Sequence, residues 1–141
     1  MFSLSLRQTN YIAVDMKQTK TERTLTRGEM EVMNILWSSG RSMTTNQVVD
    51  CFPEPRPAYT TIATFLKILS AKGFVGHTQQ NGSKAFCFYP MVSRAVYTRQ
   101  VMQDIKNTFF GGSGKSLMSF FIKEEKLSDE DITELIEMIK E

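Results

Sequence analysis

Few residues in this chain could do covalent or metal chemistry. It has one histidine, His77, and two cysteines, Cys51 and Cys87. The cysteines are far apart and form no Cys-x-x-Cys pair. With one histidine they cannot complete a four-ligand zinc site without carboxylates. They read as reduced thiols of a cytoplasmic protein. His77 lies in a strand pattern with no nucleophile pattern beside it, so neither a base nor a ligand role is assigned. The run Phe110-Gly111-Gly112-Ser113-Gly114-Lys115-Ser116 ends like a phosphate-binding loop. That loop needs a glycine where Phe109 stands, and it should follow a strand, whereas this run follows a helical pattern. It reads as a hinge between helices. No nucleophile, base and oxyanion donor converge, which predicts a protein that is not an enzyme and needs no cofactor or metal.

The chemistry that remains is non-covalent. Ile62, Phe65, Leu66 and Leu69 recur at i, i+3, i+4 and i+7, the stripe of an amphipathic helix. Placing that stripe inward at about 100° per residue turns Thr60, Thr64, Lys67 and Ala71 outward, with Tyr59 and Thr61 flanking them. Hydroxyls and one lysine on small side chains suit a helix that must approach base edges and phosphates closely. Arg56 just before the helix, and Lys84 in a turn beyond it, are placed to meet backbone phosphate. The bland reading of the same face is ordinary solvated surface.

Several elements must position that face. Thr26 and Glu29 have the spacing of a capping box, opening a first helix with an apolar face of Met30, Val32, Met33, Leu36 and Trp37, stopped by Gly40. Thr44 and Gln47 repeat the device for a short second helix burying Val48 and Val49. Prolines 53, 55 and 57 break the chain, and Pro57 is expected in the first turn of the third helix, which Gly73 ends. Phe74 to Gln79 and Lys84 to Tyr89 then flank Gln80-Asn81-Gly82-Ser83, a hairpin signal. Phe86 and Phe88 share one strand face; Ala85, Cys87 and Tyr89 share the other. Three helices followed by a hairpin is the order of a winged helix-turn-helix.

Three more helices follow. Ser93 caps one running to about Thr108, a second spans about Lys115 to Lys126, and Ser128 caps a third with Asp129, Glu130 and Asp131 in its first turn. Val96, Val101, Ile105, Phe109, Leu117, Phe121, Ile132, Leu135 and Ile139 form apolar faces that these helices cannot bury alone. Either a second copy of the chain or its own first domain must cover them. Dimerisation would set two reading helices on a two-fold axis, with Val101, Ile105, Phe109, Leu117, Phe121, Ile132, Leu135 and Ile139 as the contact.

Charge follows the same division. Residues 16–90 carry nine Lys/Arg against five acids, and residues 91–141 carry seven against nine, so +4 precedes −2. A hydrophobic fraction of 41% is enough for a core, which excludes wholesale disorder. No run approaches the roughly 18–20 apolar residues of a membrane span, and no signal peptide is visible at the start. The expectation is a mainly α protein of the α+β winged-helix kind. It comprises a flexible extension over 1–22, a winged-helix DNA-binding domain over 23–90 and a three-helix dimerisation segment over 91–141. Met16, before a short polar stretch, is a candidate alternative start.

With these pieces assembled, the sequence resembles the BlaI/MecI-type penicillinase-repressor family from about Leu25 to Glu141. The resemblance rests on Leu25-Thr26-Arg27-Gly28-Glu29-Met30-Glu31-Val32-Met33-Asn34-Ile35-Leu36-Trp37, on Tyr59-Thr60-Thr61-Ile62-Ala63-Thr64-Phe65-Leu66-Lys67, on Lys72-Gly73 and on the aromatic strand ending Tyr89-Pro90. It also rests on Leu127-Ser128-Asp129-Glu130-Asp131-Ile132. It implies a homodimeric transcriptional repressor on palindromic double-stranded DNA operators, with the Thr60 to Lys67 helix in the major groove. It further implies control of antibiotic-resistance genes, with release when a membrane-bound sensor metalloprotease responds to a β-lactam and the repressor is cut in its C-terminal part. The matching stretch, Phe109 to Ser116, reads Gly-Gly-Ser-Gly and has no Asn-Phe bond. Ile68 stands where relatives often carry arginine. No Cys-x-Cys cluster follows Cys87, unlike the copper-responsive branch. The alternative function is a winged-helix adaptor that meets a protein through the same helix without binding DNA.

Overall fold

A computed structural model describes residues 24–79, 82 and 84–141. The expected extension over 1–22, the candidate start at Met16, and the hairpin residues Gln80, Asn81 and Ser83 lie outside the described residues. The elements are α1 (Arg27–Ser39), α2 (Thr45–Asp50), α3 (Tyr59–Ala71), β1 (Val75–Gln79), β2 (Phe86–Pro90), α4 (Arg94–Phe109), α5 (Gly114–Glu124) and α6 (Asp129–Lys140). Two compact units divide between Tyr97 and Thr98, inside α4. The sequence reading set the junction after residue 90.

The first unit is a winged helix. Its helices start where side chains take up otherwise unpaired backbone N–H groups. Thr26 and Glu29 close a reciprocal box at the start of α1, and Thr44 and Gln47 close another at α2. Gly40 ends α1 with φ +67°, a left-handed conformation. Pro57 does not enter the helix as expected. Ala58, in extended conformation, is the N-cap of α3, and its carbonyl accepts from Thr61 and Ile62. Pro57 therefore precedes the cap.

The periodicity of α1 and α3 is realised in the core. Val32, Met33, Leu36, Ile62, Leu66 and Leu69 are each no more than 1% exposed, with Met43 and Val48 beside them. At Gly28 α1 lies close against Phe65 of α3: a Cβ there would lie 2.4 Å from the Phe65 ring. β1 and β2 pair antiparallel, with His77 opposite Phe88 and Gly76 opposite Tyr89. Met43 adds a bridge to Phe88, exchanging backbone hydrogen bonds of 2.9 and 2.7 Å. Cys87 faces the core, whereas Phe86 on the opposite face is 47% exposed.

Tyr97 explains why this unit extends past residue 90. It is 6% exposed, its ring meets Phe74 edge-on at 5.6 Å, and its hydroxyl accepts from the Leu25 N–H at 2.9 Å. Trp37 Nε1 donates to the Val92 carbonyl at 2.9 Å, and the Arg94 guanidinium lies 5.5 Å over the Trp37 ring.

The second unit, Thr98 to Glu141, holds the rest of α4 with α5 and α6. The turn between α4 and α5 uses Gly111 and Gly112 at φ +56° and +81°, and Ser113 then caps α5. The Gly-Lys-Ser run thus opens a helix that follows a helix, not a strand. Ser128 and Asp131 form a third capping box at α6. No residue of this unit is buried.

Candidate nucleic-acid interface

The face that α3 turns outward is built by what its other face buries. With Ile62, Leu66 and Leu69 fixed in the core, Thr60, Thr61, Thr64, Lys67, Ile68 and Ala71 are exposed. Tyr59, in the first turn, is 52% exposed. Lys67 is the only charged side chain on α3, and no carboxylate interrupts the face. The Thr64 hydroxyl donates back to the Thr60 carbonyl at 2.8 Å, so its proton is engaged within the helix.

The sequence-derived contacts fall around this face unequally. Tyr59 and Lys84 line one groove of about 300 Å³ together with Thr44, Thr45, Asn46, Ala63, Phe86 and Phe88. Arg56 is exposed but locally engaged. Its Nε donates to the Phe52 carbonyl at 3.3 Å, and its guanidinium lies 3.6 Å from Glu54. That pair is solvent-exposed and weak, so Arg56 can exchange it for another anion. Asn46 and Phe86, which border the groove, were not among the contact residues read from sequence. The alternation of the second strand put Phe86 opposite Cys87, but only the packing decided which of the two faced outward.

A partly buried ion pair holds α3 against α1. Glu29, 2% exposed, accepts from Lys72 Nζ at 2.8 and 2.9 Å and from the Thr26 N–H at 3.0 Å. Lys72, the C-cap of α3, also donates to the Thr24 carbonyl at 3.3 Å. Burial alone pushes the Glu29 carboxyl up. The Lys72 ammonium and the Thr26 donors outweigh it, and the group is held below its ordinary value. Sequence reading found the Thr26–Glu29 box but missed Lys72, whose partner lies far along the chain.

The residues expected at a dimer contact separate into two sets. Val101, Ile105, Leu117, Ile132 and Leu135 are half-buried. Phe109, Phe121 and Ile139 are 74%, 53% and 79% exposed. Met118, Phe120 and Met138, not anticipated, are also exposed, at 49%, 55% and 67%. A groove of about 350 Å³ between α5 and α6 is lined by Met118, Phe121, Leu135 and Met138 among others.

Among the described residues no group of three or more His, Cys, Asp or Glu side chains could hold a metal ion. His77 packs against Phe86 and Phe88, with ring centroids at 4.6 and 5.9 Å. Cys87 is buried and Cys51 exposed, both as free thiols. No helix of the described residues is long and apolar enough to cross a membrane.

The chain is similar to known proteins along most of its length. It is 28% identical over 114 residues to the penicillinase repressor of Bacillus licheniformis, covering 80% of this chain and 87% of that one. It is 29% identical over 107 residues to the methicillin resistance regulatory protein MecI of Staphylococcus aureus strain N315, covering 76% and 85%. Among solved structures, Bordetella bronchiseptica BpsR aligns over 91% of this chain and 97% of its own, with 16% identity and a TM-score of 0.47. The family model described as penicillinase repressor matches residues 25–141, from the first turn of the winged helix to the last residue, and the chain belongs to that family.

Proposed function

We propose that the protein is a DNA-binding transcriptional repressor that sets α3 into the major groove of duplex DNA and binds as a homodimer. The observation that supports this reading most is the outer face of α3. It is exposed, free of carboxylates, furnished with Thr60, Thr61, Thr64 and Lys67, and flanked by Arg56 and Lys84. Phosphate contacts from the basic side chains would set register, and the small side chains of α3 would let the helix approach base edges. Membership of the penicillinase repressor family supports the same reading.

The second unit supports the dimer. It has no buried residue and exposes Phe109, Phe121 and Ile139, a surface that a symmetry-related copy would cover. Two reading helices related by a two-fold axis call for a palindromic operator. The family resemblance adds a sensor metalloprotease in the membrane as the partner that ends repression, with a cut near Phe109 to Ser116. In support, Phe109, Gly111 and Gly112 are exposed at the junction of α4 and α5.

The test is a salt titration of binding to the duplex upstream of the protein's own gene. Affinity should fall steeply and log-linearly with salt as counterions return to the phosphates. Thr64→Ala and Lys67→Ala should weaken binding without changing the melting curve. Salt-insensitive binding to a protein with no promoter footprint would favour the adaptor reading.

A further inference from the structure

We propose that this protein selects its DNA through thymine methyl groups, with Ile68 as the specificity-determining residue. The inference rests on the DNA-reading role of α3 argued above and names what that face reads. Thr61, Thr64, Ile68 and Ala71 recur at i, i+3, i+7 and i+10, which at about 100° per residue keeps them within one narrow strip. All four are exposed. Thr60 and Lys67, at i and i+7, form the adjoining strip.

Ile68 is the anomaly on this helix. It is 38% exposed, whereas Ile62, Leu66 and Leu69 are at most 1% exposed. Thr64, one turn before it, spends its hydroxyl proton on the Thr60 carbonyl, leaving a methyl group and a weak acceptor. Thr61, two turns before Ile68, carries a hydroxyl, but from Thr64 through Ile68 to Ala71 the strip offers hydrocarbon and no free donor. It has no arginine, asparagine or glutamine, the side chains that grip guanine or adenine bidentately.

The only apolar feature a base edge shows in the major groove is the thymine C5-methyl. Isoleucine against that methyl removes hydrocarbon from water on both sides. Against a G·C edge it would strip water from hydrogen-bonding groups and replace it with nothing, which is unfavourable. One strip thus favours T·A pairs and rejects G·C. Lys67, on the neighbouring strip, supplies affinity for phosphate.

The experiment is selection of duplexes from a random library with the full-length protein, followed by replacement of single thymines with deoxyuridine, which removes the methyl alone. The expected result is that enriched duplexes keep thymine at fixed positions and that uracil at one of them weakens wild-type binding about fourfold. Ile68→Ala should bind the thymine and uracil forms equally, Lys67→Ala should weaken both alike, and Ile68→Arg should move the enriched base toward guanine. Equal wild-type binding of thymine and uracil duplexes at every position would overturn the proposal. So would a thymine preference that survives intact in Ile68→Ala. Should that variant fail to fold, the uracil series with the wild type still decides. If no duplex is enriched and binding lacks salt dependence, the DNA-reading role itself falls and takes this inference with it.

Discussion

Residues 24–97 and residues 98–141 are both assembled from short, well-capped amphipathic helices, yet they reach opposite ends of the burial scale. The first unit seals Val32, Met33, Leu36, Met43, Val48, Ile62, Leu66 and Leu69 at 1% exposure or less. The second seals nothing, although its helices carry Phe109, Phe121 and Ile139. Capping and periodicity are as good in α6 as in α1, each with a reciprocal box at its start. Local signals therefore make a helix but do not make a core. Short helices draw most of their stability from packing of the apolar face. A unit whose faces stay wet depends on something outside itself, and a folded second unit is then inseparable from its occupant.

Four substitutions would break or sharpen that contrast. The largest effect is expected for Phe121→Asp in the second unit. Covered by a second copy as proposed, Phe121 would contribute about 3–5 kcal/mol per site, and in a two-fold dimer the site occurs twice. Sedimentation should show the dimer weakened by about a thousandfold or more. Circular dichroism should show helix lost from α5 and α6 while the winged unit melts as before. A monomer with undiminished helix content would erase the contrast.

Next is Lys72→Met in the first unit, which strands the buried Glu29 carboxylate. Removing one partner of such a pair costs about 3 kcal/mol, read by urea unfolding. The effect should depend on pH in a defined direction. Glu29 has its pKa lowered in the folded state by Lys72 and Thr26 despite burial. The stability it contributes is therefore fully present above the ordinary carboxylate pKa of about 4.3 and is lost as pH falls through the lower folded value. Wild type and Lys72→Met should converge on acidification below that range. A gap that stays constant would mean the pair contributes packing and not charge.

Lys67→Ala should weaken duplex binding about tenfold at low salt and reduce the slope of log affinity against log salt by about one, with no change in melting. The smallest effect is expected for Gly28→Ala. The added methyl overlaps the Phe65 ring, and overpacking of about 1–3 kcal/mol is partly offset by a helix-propensity gain of about 1 kcal/mol. Thermal unfolding should show a net loss near 1 kcal/mol. Stabilisation instead would mean that Phe65, half-buried at the surface, swings aside freely.

Much of the fold was legible because its signals are local. Thr26, Thr44 and Ser128 with their third-residue partners announce helix starts. The stripe of Ile62, Leu66 and Leu69 announces both the buried and the free face of α3, so Thr60, Thr64 and Lys67 could be placed before any coordinates. The helix start at Tyr59 was missed by two residues because Pro57 satisfies the chemistry of either an N1 position or the residue before a cap. Arg56 was read as free for phosphate, whereas in the fold it leans on Glu54 and the Phe52 carbonyl.

The sequence by itself determined which segments are helix or strand and which side of each is oily. Capping, turn chemistry and periodicity are carried by residues within a few positions of one another. Tertiary structure alone decided which oily sides find cover and which polar groups find partners. The Glu29–Lys72 pair, the Tyr97 hydroxyl on the Leu25 amide and the Met43 bridge to Phe88 join residues far apart in the chain. No local pattern encodes such meetings, since each forms only after loop closure has brought already folded elements together. For the same reason the apolar faces of α5 and α6, and their inability to bury them alone, could be read from sequence, while which of their residues stay most exposed became visible only in three dimensions.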